Sequence, residues 1–376
     1  MKIIAFYLPQ YHSIPENDEW WGKGFTEWTN VKKAVPIIKE QVQPKVPLNN
    51  NYYCLLDDKV KEWQADIAKK AGIYGFCYYH YWFKGKMLLE KPAEQMLNNP
   101  QIDIPFCFSW ANEPWSRSWK GDNKNVIMPQ DYGKEKDWRT HFNYLLPFFK
   151  DPRYIKEDGK PMFIIYKPDI MPEYYKMMKF WNKLAVEAGF KGMYFGCQFP
   201  SAFRNKENET IFNFAIEFEP LYTQTEKQSF INISSWNGKR ALLFRNPVLF
   251  LDICFKKFRN RILNKPIIYD YEKTCQRIIS RKPYFVNSVP GMFTSWDKTP
   301  RNGKKATIYK GSSPQVFGKY LQKQIERAKE VYNSEYLFIT AWNEWGEGAY
   351  LEPDEQFRYS YLEEVRKANI SKIKGL

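Results

Sequence analysis

Eight short apolar, β-prone runs recur along the chain, separated by stretches of helical length, and few folds accept that alternation. The runs are KIIAFYLP (2–9), IYGFCYYHYW (73–82), IPFCFSWA (104–111), PMFIIY (161–166), GMYFGCQ (192–198), FNFAIEFEP (212–220), GMFTSWD (291–297) and EYLFITAWNEW (335–345). Apolar side chains at helical spacing between them predict helices near 55–71, 88–97, 134–149, 172–188 and 313–331. Strand and helix in repetition imply parallel strands joined by crossovers, and eight such units close into a (β/α)₈ TIM barrel of the α/β class. The open doubly wound sheet, the other parallel architecture, normally carries a glycine-rich phosphate loop after its first strand. Here that position reads YLPQYHSIPEND, without a glycine. No Gly/Ser or charged linker divides the chain, so one catalytic domain over 1–376 is expected.

One segment interrupts the alternation. The long connection between the sixth and seventh strands is expected to hold an insertion within the barrel, about 223–282. From Lys239 to Lys265 it has eight Lys or Arg against the single acid Asp252, interleaved with Leu, Phe and Ile. That composition predicts either an interfacial helix pair bent at Pro247, resting on an anionic membrane surface, or apolar residues packed on the barrel with the charges as a solvated face. Much of the net charge of +15 sits there. No helix-turn-helix, KH or RRM signature accompanies the charge, so nucleic acid is not the expected partner.

A barrel places its active site on the loops after the strands' C-terminal ends, and chemistry-bearing residues gather there. After the last strand comes WNEWGEG, with Glu344 and Glu347 three apart between tryptophans and glycines. Paired carboxylates of this kind suit glycosidic-bond chemistry, in which one protonates the leaving oxygen and the other acts as base or nucleophile. Neighbouring carboxylates also resist ionising together, which separates their pKa values. The rings of Trp342 and Trp345 beside them suit a pocket for something flat and polar. Aromatic residues make up 18% of the chain, including 14 Trp and 26 Tyr, and many lie beside Asn, Glu and Arg, as a sugar site would have them.

A second cluster, SWANEPWSRSW (109–119), follows the third strand. Its Asn-Glu-Pro resembles the acid/base signature of many retaining glycosidases, which however follows the fourth strand. Glu113 is therefore read as a substrate-binding or supporting carboxylate, with Arg117 as ion-pair partner and Asn112 placed to hold a sugar hydroxyl. Trp110, Trp115 and Trp296 are expected to face the pocket. The three histidines, His12, His80 and His141, lack metal-ligand spacing, so neither metal nor other cofactor is expected. Six cysteines without CxxC pairing read as small buried hydrophobes in a reducing compartment. With no secretory leader pattern in MKIIAFYLPQYH, the expected location is cytoplasmic, either soluble or peripheral at the inner face of the membrane.

Taken together, FYLPQYH, WWGKGFTEWTNV, FCYYHYWF, SWANEPWSRSW, SWDKTPR and WNEWGEGAYLEP resemble the WbsX-type family of polysaccharide-locus proteins, related to glycoside hydrolase family 99 and its endo-mannosidases. The resemblance spans nearly the whole chain. It implies a metal-free (β/α)₈ barrel with catalysis from the loop after the last strand. It also implies that Glu344 acts as base toward the substrate's own 2-hydroxyl, forming a 1,2-anhydro sugar, and that Glu347 acts as acid toward the leaving group and then as base toward water. Asn343, Tyr79, His80, Trp82, Asp297 and Arg301 would line the sugar subsites. WWGKGFTEWTNV and SWANEPWSRSW belong to the WbsX-like branch, commonly labelled glycosyltransferase. The function expected is therefore retaining chemistry on a surface-polysaccharide or lipid-linked glycan. The alternatives are a glycosyltransferase of O-antigen or capsule synthesis and a noncatalytic glycan or nucleic-acid binder.

Overall fold

The computed structural model describes residues 1–116, 126–198, 211–225, 244 and 247–370. Its centre is a barrel of parallel strands: β1 (Lys2–Tyr7), β2 (Gly75–Phe83), β3 (Phe106–Trp110), β4 (Lys160–Ile165), β5 (Tyr194–Cys197), β6 (Phe214–Ile216), β7 (Ser288–Val289 and Gly291–Phe293) and β8 (Tyr336–Thr340). Neighbours in sequence are neighbours in space, and β1 pairs with both β2 (Ile4↔Gly75) and β8 (Lys2↔Tyr336). The seventh stave is broken at Pro290, whose nitrogen carries no hydrogen to give a ladder. Its first half pairs with β6 (Ala215↔Ser288) and its second with β8 (Gly291↔Phe338), while the Pro290 carbonyl accepts from Phe338 N at 3.1 Å. Nine strand segments thus make eight staves.

The five expected helices are present at Asp58–Ala71, Lys91–Asn98, Glu135–Lys150, Tyr174–Glu187 and Pro314–Glu330. Their apolar stripes face the barrel, so that Ala65 and Ala68 in the first and Phe317 and Leu321 in the last are buried. Helices at Pro15–Trp21, Glu27–Lys33 and Ser360–Ile370 were not foreshadowed by strong periodicity. In the expected insertion, Pro247–Arg261 is helical, strand Ile267–Asp270 pairs in parallel with Thr307–Lys310, and helix Tyr271–Ser280 packs on the barrel through Tyr271, Cys275 and Ile278. The helical turn expected before Pro247 falls almost wholly outside the described residues.

Alternation along the strands sorts side chains to two sides. On β1, Phe6 points into the barrel and meets Phe218 at 5.2 Å and Phe338 at 5.4 Å between ring centroids, whereas Tyr7 points out and donates to Gln64 of helix Asp58–Ala71 at 2.7 Å. On β2, Tyr79 and Tyr81 share the inner side with Phe6, and His80 and Trp82 face outward. Aromatic rings therefore fill the barrel's interior up to the mouth.

The seam between β6 and β7 is tight enough to require glycine at 291. A Cβ there would lie 2.0 Å from the Glu217 carbonyl oxygen, a backbone atom that cannot swing aside. Gly291→Ala is expected to destabilise the fold by about 1–3 kcal/mol, as overpacking does. A lowered urea midpoint with an unchanged slope is the expected reading, and an unchanged midpoint would show that the seam has room.

Candidate active site

The loop after β8 is a tight hairpin. Asn343–Glu344 pairs antiparallel with Ala349–Tyr350, the turn between them is the single helical turn Trp345–Glu347, and Gly348 closes it at φ 62°, a left-handed conformation that favours glycine. Polar bonds hold this hairpin to the start of the chain. The Asn343 side chain accepts from Leu8 N at 2.8 Å and donates to Leu8 O at 3.0 Å. Tyr11 donates its hydroxyl hydrogen to Asn343 O at 2.5 Å and accepts from Trp345 N at 3.1 Å. The Trp345 indole donates to Glu352 at 2.6 Å, and the same buried carboxyl accepts from Tyr53 and Gln64.

With both neighbours of Glu344 clamped from below, Glu344 and Glu347 face upward. They meet at Arg301, on the short helix Thr299–Asn302 after β7. The guanidinium donates from Nη2 to Glu344 at 2.9 Å, from Nη1 to Glu347 at 2.6 Å and from Nε to Glu27 at 2.9 Å. Lys298 adds a second cation, 2.8 Å from Glu347. Glu27, the first residue of helix Glu27–Lys33, has a side chain with no exposed surface. The fit leaves no space at Gly346, where a Cβ would come within 2.0 Å of Glu27 Oε1.

Among the described residues two cations, Arg301 and Lys298, meet three carboxylates, Glu27, Glu344 and Glu347. Burial pushes Glu344 up; Arg301 draws it down, but that charge is shared with Glu27 and Glu347, and the carboxyl ends at about 8. Burial also acts to raise Glu347, but Lys298 and Arg301 outweigh it and hold its carboxyl below the usual range. The two carboxyls are thus pushed in opposite directions, Glu344 toward the protonated form and Glu347 toward the ionised form.

Above the pair opens a pocket of about 540 Å³, within the usual size of small-ligand sites. Tyr79, Tyr81, Trp115, Tyr166 and Trp296 form its walls, with Glu113 and Lys298 on its lining. Trp115 stands on a two-strand hairpin with Met128 and meets Tyr81 edge to face at 5.1 Å. Tyr79 is fixed by a chain across the barrel, accepting from Gln198, which in turn accepts from Ser109.

Of the residues named from the sequence, Tyr79, Glu113, Trp115, Trp296, Arg301, Glu344 and Glu347 reach this pocket. Glu113 pairs with Lys167 at 2.5 Å, and Arg117 lies outside the described residues. His80, Trp82 and Trp110 do not line the pocket, because each occupies an outward position on its strand. The His80 and His141 Nε2 atoms are 2.8 Å apart, Trp82 stacks on His141 at 4.3 Å, and Trp110 meets the same ring edge-on. Burial keeps the two imidazoles neutral, driving His80 down to about 3 and His141 well below its ordinary value.

Asn112 and Asn343 are ties between loops. Asn112 exchanges two 2.8 Å bonds with the backbone of Lys167, as Asn343 does with Leu8. Asp297 points away from the pocket to accept from Gln41, Gln43 and Thr299, while its backbone N donates to Glu347 O. Trp342 and Trp345 are fully buried beneath the hairpin, packed on Phe76 and Tyr350, so neither offers a face to a ligand. The sequence reading missed Glu27, Tyr81, Tyr166 and Lys298. Three of these lie inside the quoted motifs WWGKGFTEWTNV, FCYYHYWF and SWDKTPR, and strict alternation from Tyr79 would have selected Tyr81 over His80.

The proton on Glu344 makes stability depend on pH. A carboxyl raised from 4.5 to about 8 in the folded state contributes stability that is fully present below 4.5 and lost as pH rises through about 8. Glu344→Gln carries no such proton, so its melting temperature relative to wild type should rise between pH about 5 and about 8.5. A constant difference across that window would place the proton elsewhere. Glu27→Gln removes one carboxylate from the balance and should lower the Glu344 titration midpoint, read by carboxyl ¹³C NMR, by on the order of one pH unit. An unmoved midpoint would mean that Glu27 does not influence the pair.

The family model described as glycosyltransferase WbsX matches residues 3–365. The uncharacterised protein WxcX of Xanthomonas campestris pv. campestris, in strain B100 and in a second strain, is 32% identical over 372 residues, 97% of this chain. The chain spans about half the length, 49%, of those curated relatives. Among solved structures, the family 99 endo-α-mannosidase of Bacteroides thetaiotaomicron is similar in fold, with a TM-score of 0.55, 14% identity, and coverage of 99% of this chain and 97% of that one. A glycoside hydrolase-like protein aligns with a TM-score of 0.56 at 12% identity, covering 98% and 93% of the two chains. Identities this low carry the (β/α)₈ fold alone. The family match runs from β1 through β8 and takes in both ends of the site, and the chain belongs to the WbsX glycosyltransferase family.

Proposed function

We propose that this chain acts on glycosidic bonds of a surface-polysaccharide or lipid-linked glycan by retaining chemistry, with Glu344 and Glu347 as the catalytic pair. The observation that carries this reading is geometric: two buried carboxyls share one guanidinium under a pocket walled by aromatic rings, with burial pushing Glu344 up and Lys298 and Arg301 holding Glu347 down. Glycosidic cleavage needs one group to give a proton and one to take a proton or attack carbon. Membership of a carbohydrate-active family and a fold shared with glycoside hydrolases support the same reading.

In the order implied by the family motif, Glu344 removes the proton of the substrate's 2-hydroxyl as that oxygen attacks the anomeric carbon. Glu347 delivers a proton to the departing oxygen, leaving a 1,2-anhydro sugar. Glu347 then deprotonates water or a sugar hydroxyl, which attacks the anomeric carbon as the C1–O2 bond breaks and Glu344 returns its proton to the 2-oxygen, restoring the starting configuration. Burial and its neighbours favour the protonated form of Glu344 and the ionised form of Glu347, so this order runs through the less populated arrangement of the one shared proton. The leaving group separates the two orders: an activated aryl group, which departs without a proton, should rescue the first step in the Gln variant of the acid and not in that of the base, read as a burst of released phenol.

A nucleotide-sugar transferase is the second reading, favoured by the family's description. The test offers the protein activated aryl glycosides, oligosaccharides and nucleotide sugars in parallel. Turnover without a nucleotide is expected, reduced by on the order of a hundredfold or more in Glu344→Gln and in Glu347→Gln. Turnover confined to nucleotide sugars, releasing a nucleoside diphosphate and surviving both substitutions, would overturn the proposal.

A further inference from the structure

Helix Pro247–Arg261, in the connection between β6 and β7, lies on the protein through a mixed face, on which Phe250, Ile253, Lys256 and Asn260 are half-buried. Asn260 Nδ2 donates to the backbone oxygens of Lys265 at 3.2 Å and Lys305 at 2.9 Å. Lys256 pairs with Asp252 at 2.7 Å and sits 4.8 Å over the Tyr269 ring. The apolar side faces away. Leu251, Phe255, Phe258 and Ile262 follow one another at steps of four, three and four residues, which places them on a single stripe, and they are 63%, 59%, 51% and 68% exposed. Ile262 still closes a helical bond, its N donating to Phe258 O at 2.9 Å.

A helix that serves only to cover a core turns such a stripe inward. Here, at 3.6 residues per turn, Arg261 flanks the stripe on one side, with Lys257 further round, and Arg259 flanks it on the other beside Asp252. Across residues 247–265 five Lys or Arg stand against one acid, Asp252. An apolar stripe between cationic edges matches a membrane interface: rings enter the boundary between headgroups and acyl chains, and cations meet lipid phosphates. We propose that this face docks the protein on an anionic lipid surface.

The helix is joined to the rim of the pocket. It leads into strand Ile267–Asp270, which pairs along four residues with Thr307–Lys310. That second strand bonds to the segment after β7, with Tyr309 N donating to Trp296 O at 2.8 Å and Lys298 N to Thr307 O at 3.0 Å. Trp296 and Lys298 line the pocket. Docking through this helix therefore brings the pocket's rim close to the lipid surface, whatever reaction the pocket performs.

Vesicle flotation tests the proposal with the full chain. Vesicles of phosphatidylcholine alone are compared with vesicles of equal parts phosphatidylcholine and phosphatidylglycerol, at low salt and at ~1 M salt, where charge attraction is screened. Binding is expected on the anionic vesicles at low salt, about tenfold or more above the neutral ones, and released by salt. Phe255→Ser with Phe258→Ser, and separately Lys257→Glu with Arg261→Glu, should each reduce it about tenfold. These side chains are exposed or at the helix edge, so an unchanged thermal melt is expected for both variants and shows that the loss is at the surface. Equal binding to both vesicle types, or to neither, overturns the proposal. So does sedimentation showing a lipid-independent dimer that the Phe255/Phe258 variant converts to monomer, because the face would then belong to a second copy of the chain.

Discussion

A guanidinium buried among carboxylates organises this protein. Arg301 reaches Glu27 from the N-terminal region and Glu344 and Glu347 from the last strand's loop, so one side chain joins segments separated by most of the sequence. Removing a charged group from water is costly unless the surroundings return what hydration supplied. Each of the three contacts here is charge-assisted and within 2.9 Å. Burial, with Glu27 and Glu347 close by, then pushes the Glu344 carboxyl up to about 8. Architecture and acid–base behaviour thus have the same origin.

Support for the pair comes from residues that never touch the pocket. Asn343, Tyr11, Tyr53 and Glu352 form a connected polar layer under the hairpin, with Trp345 as its central donor. Such a layer is useful only when every member is satisfied, and then it fixes one geometry. Glu352 is held mainly by burial at about 7, opposed by the bonds from Trp345, Tyr53 and Gln64. The two tryptophans around Glu344 belong to this underlayer and set the aim of the carboxylates above them.

The barrel was legible because its strands are uninterrupted apolar runs and its helices carry clear stripes; both are local patterns. The pair Glu344 and Glu347 was legible because a single loop carries them. Glu27 was not, since its partner lies 274 positions away and a buried acid at a helix start looks the same in sequence as a favourable helix-dipole residue. His80, Trp82 and Trp110 misled for a different reason: an aromatic or imidazole near a strand's end looks the same whether it turns toward the mouth or toward an outer helix. Only the two-residue alternation, phased from an inward residue such as Phe6 and its neighbour Tyr79, separates the two. Asn112, Asn343 and Asp297 have side chains suited to sugar hydroxyls and are spent on backbone groups and neighbouring amides instead.

The pairing of β1 with β8 also bears on biosynthesis. Until β8 has left the ribosome, β1 has only β2 beside it and the second half of β7 has no neighbour for its ladder. Asn343 has not yet reached Leu8, and Arg301 and Glu27 have been made without the carboxylates that complete their cluster. A nascent chain stalled before Tyr336 therefore exposes two unpaired strand edges, a state suited to capture by chaperones or to edge-to-edge association. Formation of the last strand closes the barrel and brings Glu344 and Glu347 to Arg301 in one event.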